Sequence, residues 1–287
     1  MSLPGSGPDP DPSAVAAAVA LGAAHGIRTE QARVLKDGSN LIVHLRPAPV
    51  VVRVATFTAA VRRDPLPNLE REVALASALV AAGASVAPPS PLLPAGPHVI
   101  DGWAMTAWMF VDHRPGIVPN PATAFAALDG LHGVMRAITI ELPLLSPAVA
   151  DLDLAIDFAV EHGLIPADEA HERRARRDRL VRDLLAAAPD RQALHGDAFP
   201  RNSLLTEGGV VWIDLEDCCS GPLAWDHAVL IRNAPDPALD RALRERDGDR
   251  ALETAIALRE EQASVWTILH DARRERRLAN RAGDRPS

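Results

Sequence analysis

The sequence predicts an α+β protein in two lobes, a small β-rich lobe followed by a larger helical one. Three observations carry this expectation. Short runs rich in apolar and β-branched residues crowd the stretch between residues 32 and 54. From about residue 121 onward, apolar residues recur at helical spacing. The chain has 287 residues and is 47% hydrophobic, enough to bury one large core or two packed lobes.

Residues 1–12 carry Pro4, Pro8, Pro10 and two glycines and are expected to form a flexible tail. They contain no basic stretch followed by a long apolar one, so a secretory signal is not expected. Ser13 is expected to cap a helix over residues 13–24. Strands are expected at 32–35, 41–45 and 50–54, with Asp37-Gly38-Ser39-Asn40 as the turn between the first two. A helix is expected over 68–82, where Leu69, Val73, Ala76 and Val80 form one apolar stripe. Pro88, Pro89, Pro91 and Pro94 separate it from an extended stretch over 103–110. Helices are then expected at 121–137, 151–163, 167–187 and 250–279, with short extended pieces at 203–206 and 210–214. The lobes divide as 13–110 and 111–287, with the boundary in Val111-Asp112-His113-Arg114-Pro115-Gly116.

The net charge of -8 argues against a nucleic-acid partner. No apolar run approaches the roughly 20 residues of a membrane span. The two cysteines, Cys218 and Cys219, are adjacent and read as small buried side chains in a reducing, cytoplasmic setting. Basic residues are almost all arginine, Lys36 being the sole lysine.

The chemistry concentrates in His195-Gly196-Asp197-Ala198-Phe199-Pro200-Arg201-Asn202 and in Ile213-Asp214-Leu215-Glu216. A glycine-containing loop presents Asp197 and, five residues later, Asn202; an apolar strand then delivers Asp214. Phosphoryl transfer from a nucleotide needs such a set: a carboxylate to orient the attacking hydroxyl, and an amide oxygen and a second carboxylate to hold magnesium against the phosphates. In the N-terminal part, Arg53 interrupts a valine run, and Glu72 sits at the edge of the apolar stripe on the following helix. Alone, an edge-strand arginine and a solvated helix face would explain them. There is no Gly-x-x-x-x-Gly-Lys-Ser/Thr, which excludes a P-loop, and no Gly-x-Gly-x-x-Gly.

His-Gly-Asp-x-x-x-x-Asn followed by Ile-Asp-x-Glu resembles the catalytic and metal loops of the aminoglycoside phosphotransferase family, which includes choline-kinase-like, homoserine-kinase-like and sugar-kinase-like members. The resemblance implies a bilobal protein-kinase-like fold and an ATP- or GTP-dependent, magnesium-dependent kinase acting on a hydroxyl of a small molecule. It makes Asp197 the catalytic base and Asn202 and Asp214 the metal ligands. It makes Arg53 the phosphate-binding cation, with Glu72 as its ion-pair partner. His195, Glu216 and Asp226 would support these loops. Backbone N–H groups of Gly38, Ser39 and Asn40 stand where a glycine-rich loop would touch phosphates, an ordinary hairpin turn being the other reading. Trp108 and Met109 would lie in the hinge that meets the nucleotide base. A catalytically silent nucleotide-binding protein and a nucleotidyl-transferring enzyme remain as alternatives.

For the acceptor, Asp153, Asp157 and Glu161 repeat every four residues on one helix face, and Glu260 and Glu261 lie on a later helix. In the resembled family such acids often receive cationic acceptors; a solvated acidic face is the plainer reading. Trp225 and Trp266 could cover an acceptor, although tryptophan at helical spacing is more often core. Trp266 shares a stripe with Leu252, Ile256, Ala263 and Leu269.

Overall fold

The structure, a computed structural model, describes residues 10–283. The N-terminal part is a five-stranded antiparallel sheet of order β1-β2-β3-β5-β4, formed by β1 (Thr29–Asp37), β2 (Asn40–Pro47), β3 (Val50–Ala55), β4 (His98–Ile100) and β5 (Trp103–Met109). Helix α1 (Pro12–Ala24) covers one face, burying Ala14, Ala17, Ala18 and Leu21 against Leu41, Val43, Val52 and Met105. Its cap is not Ser13 but Asp11, whose carboxylate accepts from the Ser13 N–H at 2.9 Å. Pro12 occupies the first turn, where its missing N–H costs nothing. Residues 11 and 12 therefore belong to the helix rather than to a tail; residues 1–9 of the expected tail lie outside the described residues.

On the other side of the sheet, α2 (Phe57–Arg62) and α3 (Leu66–Ala81) descend toward the helical part. The buried stripe of α3 is Leu69, Glu72, Leu75, Ala76 and Leu79. The stripe expected through Val73 and Val80 is rotated, and Val80 is exposed. The rotation follows from what α3 faces: Leu75, Ala76 and Leu79 join the core of the helical part, which carries Glu72 inward with them.

That core is built by α4 (Pro121–Met135), α6 (Ala167–Ala187), α7 (Ala224–Asn233), α8 (Pro237–Asp247) and α9 (Asp249–Gly283). A second cluster joins α5 (Ala150–Glu161) to Val61, Val265 and Leu269. Two small ladders lie within this part. One pairs β6 (Gln192–Leu194) with β9 (Cys219–Gly221); the other is the hairpin of β7 (Ser203–Thr206) and β8 (Gly209–Trp212). The mixed α+β architecture agrees with the sequence, with α2, β4, β6, β9, α7 and α8 added. Helix α7 escapes periodicity because eight of its ten residues are buried, leaving no polar face. No helix among the described residues is long and apolar enough to cross a membrane. Cys218 and Cys219 are fully buried free thiols, and burial pushes the Cys218 thiol up to about 12.

Candidate active site

Residues 195–202 connect β6 to β7, and residues 213–218 connect β8 to β9. Both loops thus emerge from the two ladders at the same end, facing the sheet. The Ile213 N–H donates to the Asn202 carbonyl at 2.9 Å, which ties one loop to the other.

The first loop is held from beneath by Asp226 at the start of α7, which is wholly buried. Its carboxylate accepts from the backbone N–H groups of His195 and Gly196, each at 2.9 Å, and lies 2.8 Å from His132 Nε2. Burial opposes this charge, but the His132 hydrogen bond and the backbone donors outweigh it and hold the Asp226 carboxyl below its ordinary value. The Trp225 indole donates to the Gly196 carbonyl at 2.8 Å, so this tryptophan braces the loop from the core and does not line the cleft. Gly196 has φ +86°, and a Cβ there would lie 1.8 Å from the Asp217 carbonyl oxygen. No other residue fits at that position. The His195 ring packs edge-on to Trp212 and contacts the Ile213 carbonyl at 3.1 Å, coupling the loops a second time.

Asp197 stands above this base. Its Oδ2 accepts from Asn202 Nδ2 at 2.8 Å, and the same amide donates to the Asp197 carbonyl at 3.1 Å. The Asn202 amide oxygen is the end that Asp197 does not engage. Asp214 takes a left-handed backbone conformation, φ 66° and ψ 56°, which an L-residue adopts at a cost of about 1–2 kcal/mol. This turns its carboxylate out of the strand and into the cleft, where the side chain is 31% exposed.

Arg53 closes the site from the sheet. It is 3% exposed and reaches Glu72 at 3.0 Å, Asp214 at 2.9 Å and Glu216 at 2.9 Å. Burial disfavours the cation, but Glu216, Glu72 and Asp214 outweigh it and raise its pKa. Burial pushes the Glu72 carboxyl up while Arg53 pulls it back. Asp214 is likewise opposed by burial yet held low by Arg53 and Lys36.

A second buried arginine was not anticipated. Arg62, the last residue of α2, binds Glu216, Asp217 Oδ1 at 2.5 Å and Asp151 Oδ1 at 3.1 Å. The Asn40 side chain donates to Glu216 at 2.6 Å. Six residues are too few for α2 to show a period, so nothing in the sequence marks Arg62 as inward-facing. At the β1–β2 turn, the Gly38 N–H donates to the Asn40 carbonyl at 3.0 Å, while Ser39 Oγ lies 3.3 Å from His270 on α9. Arg273 and Arg277 of α9 reach Asp37 at 3.4 and 3.0 Å, so the last helix straps this hairpin. In the expected hinge, the Met109 N–H donates to the Pro88 carbonyl at 3.0 Å and the Trp108 indole to Thr106 at 2.8 Å.

The cleft between these parts encloses about 380 Å³. Its walls include Asp197, Asp214, Glu216 and Asp217 on one side and Arg259, Gln262, Trp266, Thr267 and His270 of α9 on the other. Trp266 is half-buried: it packs against the α5 cluster and also lines the cleft. The acids weighed as acceptor ligands, for which a solvated face was the plainer reading, do not line this cleft. Asp153 and Asp157 pair with Arg174 of α6 at 3.0 and 2.6 Å, and Asp153 also with Arg177 at 3.1 Å. Glu161 pairs with Arg63 on the surface, Glu261 with Arg173 at 2.9 Å, and Glu260 is exposed. The arginine-rich face of α6 packs against α5 and α9 and takes up most of these carboxylates. Arg259 is also new: its Nη2 lies 2.7 Å from Asp197 Oδ1. The sequence held a signal for it, since residue 259 falls between Ile256 and Ala263 on the stripe that carries Trp266. A larger hollow of about 740 Å³, walled by Arg136, Glu141, Asp190 and Arg191, contains none of these residues.

Among the described residues no three His, Cys, Asp or Glu side chains gather into a ready-made metal centre. The Asp214 carboxylate, which opens on the cleft, and the Asn202 amide oxygen, which Asp197 does not engage, are instead the donor types that fit an oxygen-seeking cation completing its shell with phosphates and water.

The chain matches the phosphotransferase enzyme family over residues 18–264. No curated protein matches it. Among solved structures, it is similar to aminoglycoside phosphotransferase APH(3'')-Id from Streptomyces rimosus in complex with ADP and streptomycin, at 16% identity and TM-score 0.60 over 86% of this chain and 98% of that one. Choline kinase LicA from Streptococcus pneumoniae aligns at 15% identity and TM-score 0.59 over 89% of each chain. Amicoumacin kinase hAmiN, in complex with AMP-PNP, Ca2+ and Ami, aligns at 15% identity and TM-score 0.59 over 85% of this chain and 81% of that one.

Proposed function

For a chain that belongs to the phosphotransferase enzyme family, we propose transfer of the γ-phosphoryl group of ATP or GTP to a hydroxyl of a small molecule. The observation that carries this reading is a cleft lined by both Asp197, hydrogen-bonded to Asn202, and Asp214, held by the buried Arg53–Glu72 pair. The neighbours solved with AMP-PNP and with ADP support a nucleotide in such a cleft, and the Ca2+ of one supports a divalent cation.

In this reading Asn202 Oδ1 and the Asp214 carboxylate hold magnesium, which when bound neutralises phosphate charge. Arg53 contacts the nucleotide phosphates, and Glu72 and Glu216 fix its direction. Asp197 orients the acceptor hydroxyl. The hydroxyl oxygen forms the new O–P bond, the bond from the γ-phosphorus to the bridging oxygen breaks, the proton passes to Asp197, and the nucleoside diphosphate leaves. Asp226 and Gly196 set the height of Asp197.

The test is thermal stabilisation by ATP and by GTP, each with magnesium and with chelator, followed by product mass on a turned-over acceptor. Magnesium-dependent stabilisation and a gain of one phosphoryl group support the reading. A gain of a nucleotidyl group, or nucleotide binding indifferent to magnesium, refutes it.

A further inference from the structure

We infer that the acceptor alcohol carries an anionic group, a carboxylate or a phosphate, that docks on Arg259. The inference rests on the phosphotransferase reading of this site and concerns the half of the cleft left over once nucleotide and metal are placed.

That half is the face of α9. Arg259, Gln262, Trp266, Thr267 and His270 line it, and it carries no carboxylate. Of the neighbouring acids, Glu261 is buried and tied to Arg173 at 2.9 Å and Arg176 at 3.5 Å. Glu260 is exposed and does not line the cleft. Across the cleft, Asp214 and Glu216 are paired with Arg53, and Glu216 and Asp217 with Arg62. A cationic acceptor would therefore find no carboxylate without an arginine partner, and it would meet Arg259 beside the base. Like charge placed there selects against amines.

Both oxygens of Asp197 are engaged. Asn202 Nδ2 holds Oδ2 at 2.8 Å, and Arg259 Nη2 holds Oδ1 at 2.7 Å. For Asp197 to receive a hydroxyl, the contact with Arg259 must loosen. The guanidinium then needs another partner, because its side chain is only 11% exposed and its Nη1 is matched by a neutral amide, Gln262 Oε1, at 2.6 Å. Its Nε is buried without a hydrogen-bond partner. A carboxylate or phosphate on the acceptor would supply the lost charge and match the unpaired donor in a two-point contact, the geometry a guanidinium favours. A neutral acceptor would leave a nearly buried cation without compensation. Release of Arg259 from Asp197 and capture of the acceptor are then one exchange of anions.

The experiment is release of nucleoside diphosphate, with magnesium and ATP or GTP, over three panels of alcohols. One is anionic (glycerate, glycerol 3-phosphate), one neutral (glucose, inositol) and one cationic (choline, kanamycin, streptomycin). Turnover is expected in the anionic panel alone. Arg259→Gln should raise KM for that acceptor on the order of 10-fold or more and leave nucleotide KM unchanged, and Arg259→Lys should recover part of the loss. Turnover in another panel, turnover in none, or an acceptor KM indifferent to Arg259→Gln overturns the inference. If Arg259→Gln does not fold, as judged by its melting transition, the panels on the unaltered chain and the Arg259→Lys acceptor KM decide. The underlying reading fails separately, by loss of magnesium-dependent nucleotide binding. If amines are turned over while that binding persists, only the anionic acceptor is refuted.

Discussion

The loop that carries Asp197 and the α9 wall face each other across one cleft, yet they are built by different means. The loop packs its chemistry into eight residues, His195 to Asn202, and fixes it through short contacts to Asp226, Trp225 and Ile213. The wall spreads its side chains over three turns of a long helix, Arg259 to His270, and no main-chain hydrogen bond of a loop fixes any of them. A reaction step demands fixed angles, so its residues cluster where a backbone can be locked. A binding wall needs only a charge and a surface, which one helix face supplies at any point along its length. The first arrangement leaves a motif in the sequence, and the second leaves a period with an odd residue in it.

The comparison predicts that the loop breaks in steps of orders of magnitude and the wall in smaller ones. Asp197→Asn should lower kcat by about 10²–10⁴-fold with nucleotide affinity nearly intact, measured by coupled diphosphate release and by calorimetry. Wild-type turnover in this variant would remove Asp197 from the reaction. Asp214→Ala should abolish turnover and the magnesium-dependent tightening of nucleotide, while nucleotide without metal binds at least as well as before, because a repelling carboxylate has gone. Equal tightening by magnesium in variant and parent would show that Asp214 is no ligand.

The next expectation concerns the base of the loop. Asp226→Ala should cost on the order of 3 kcal/mol, since two backbone N–H groups and His132 lose a buried acceptor. It should also flatten the acid limb of stability. The native Asp226 carboxyl titrates below its unfolded value near 4, so its contribution is complete above about pH 4 and is lost as pH falls through the native value. Thermal melts of both proteins across that range measure this, and parallel acid limbs would contradict it. Arg53→Ala should raise nucleotide KM and lower kcat together. It should also destabilise the fold, because Glu72 and Glu216 lose a buried partner. Unchanged nucleotide kinetics would place Arg53 outside the phosphate site.

The smallest effect sharpens the comparison from the other side. Asp157→Asn and Glu161→Gln remove charges that are half exposed and bound to Arg174 and Arg63. Acceptor KM should not move, and stability should shift by less than about 1 kcal/mol. A several-fold rise in acceptor KM would return the α5 acids to the acceptor site.

What could be read from the sequence divides along the same line. Asn202 bonds Asp197 five residues before it, and Arg53 meets Glu72 although 19 residues separate them. Those residues are polar groups in apolar or glycine-bearing stretches, where a chemical reason for their presence is visible without the fold. The arginines beside the site were legible unequally. Arg62 ends a helix too short to be periodic, and only the packing of α2 under Glu216 distinguishes it from a surface residue. Arg259 interrupts an apolar stripe, but only the packing of α9 against Asp197 tells which partner it meets. The acids of α5 left both readings open for a related reason. A face repeating every four residues shows that carboxylates lie together, but α6 decides whether they meet solvent, a ligand or arginine.

The adjacent thiols at the end of the loop that carries Asp214 have a practical consequence. Cys218 and Cys219 follow Asp217 directly, are wholly buried and are the only cysteines in the chain. In the closed protein neither is exposed or ionised enough for an alkylating reagent to attack. Any modification must wait for the segment after Asp214 to open. The rate of thiol capture is therefore a clock for local opening at this one place, readable in the unaltered protein, and a ligand that ties Asp214 down should slow it.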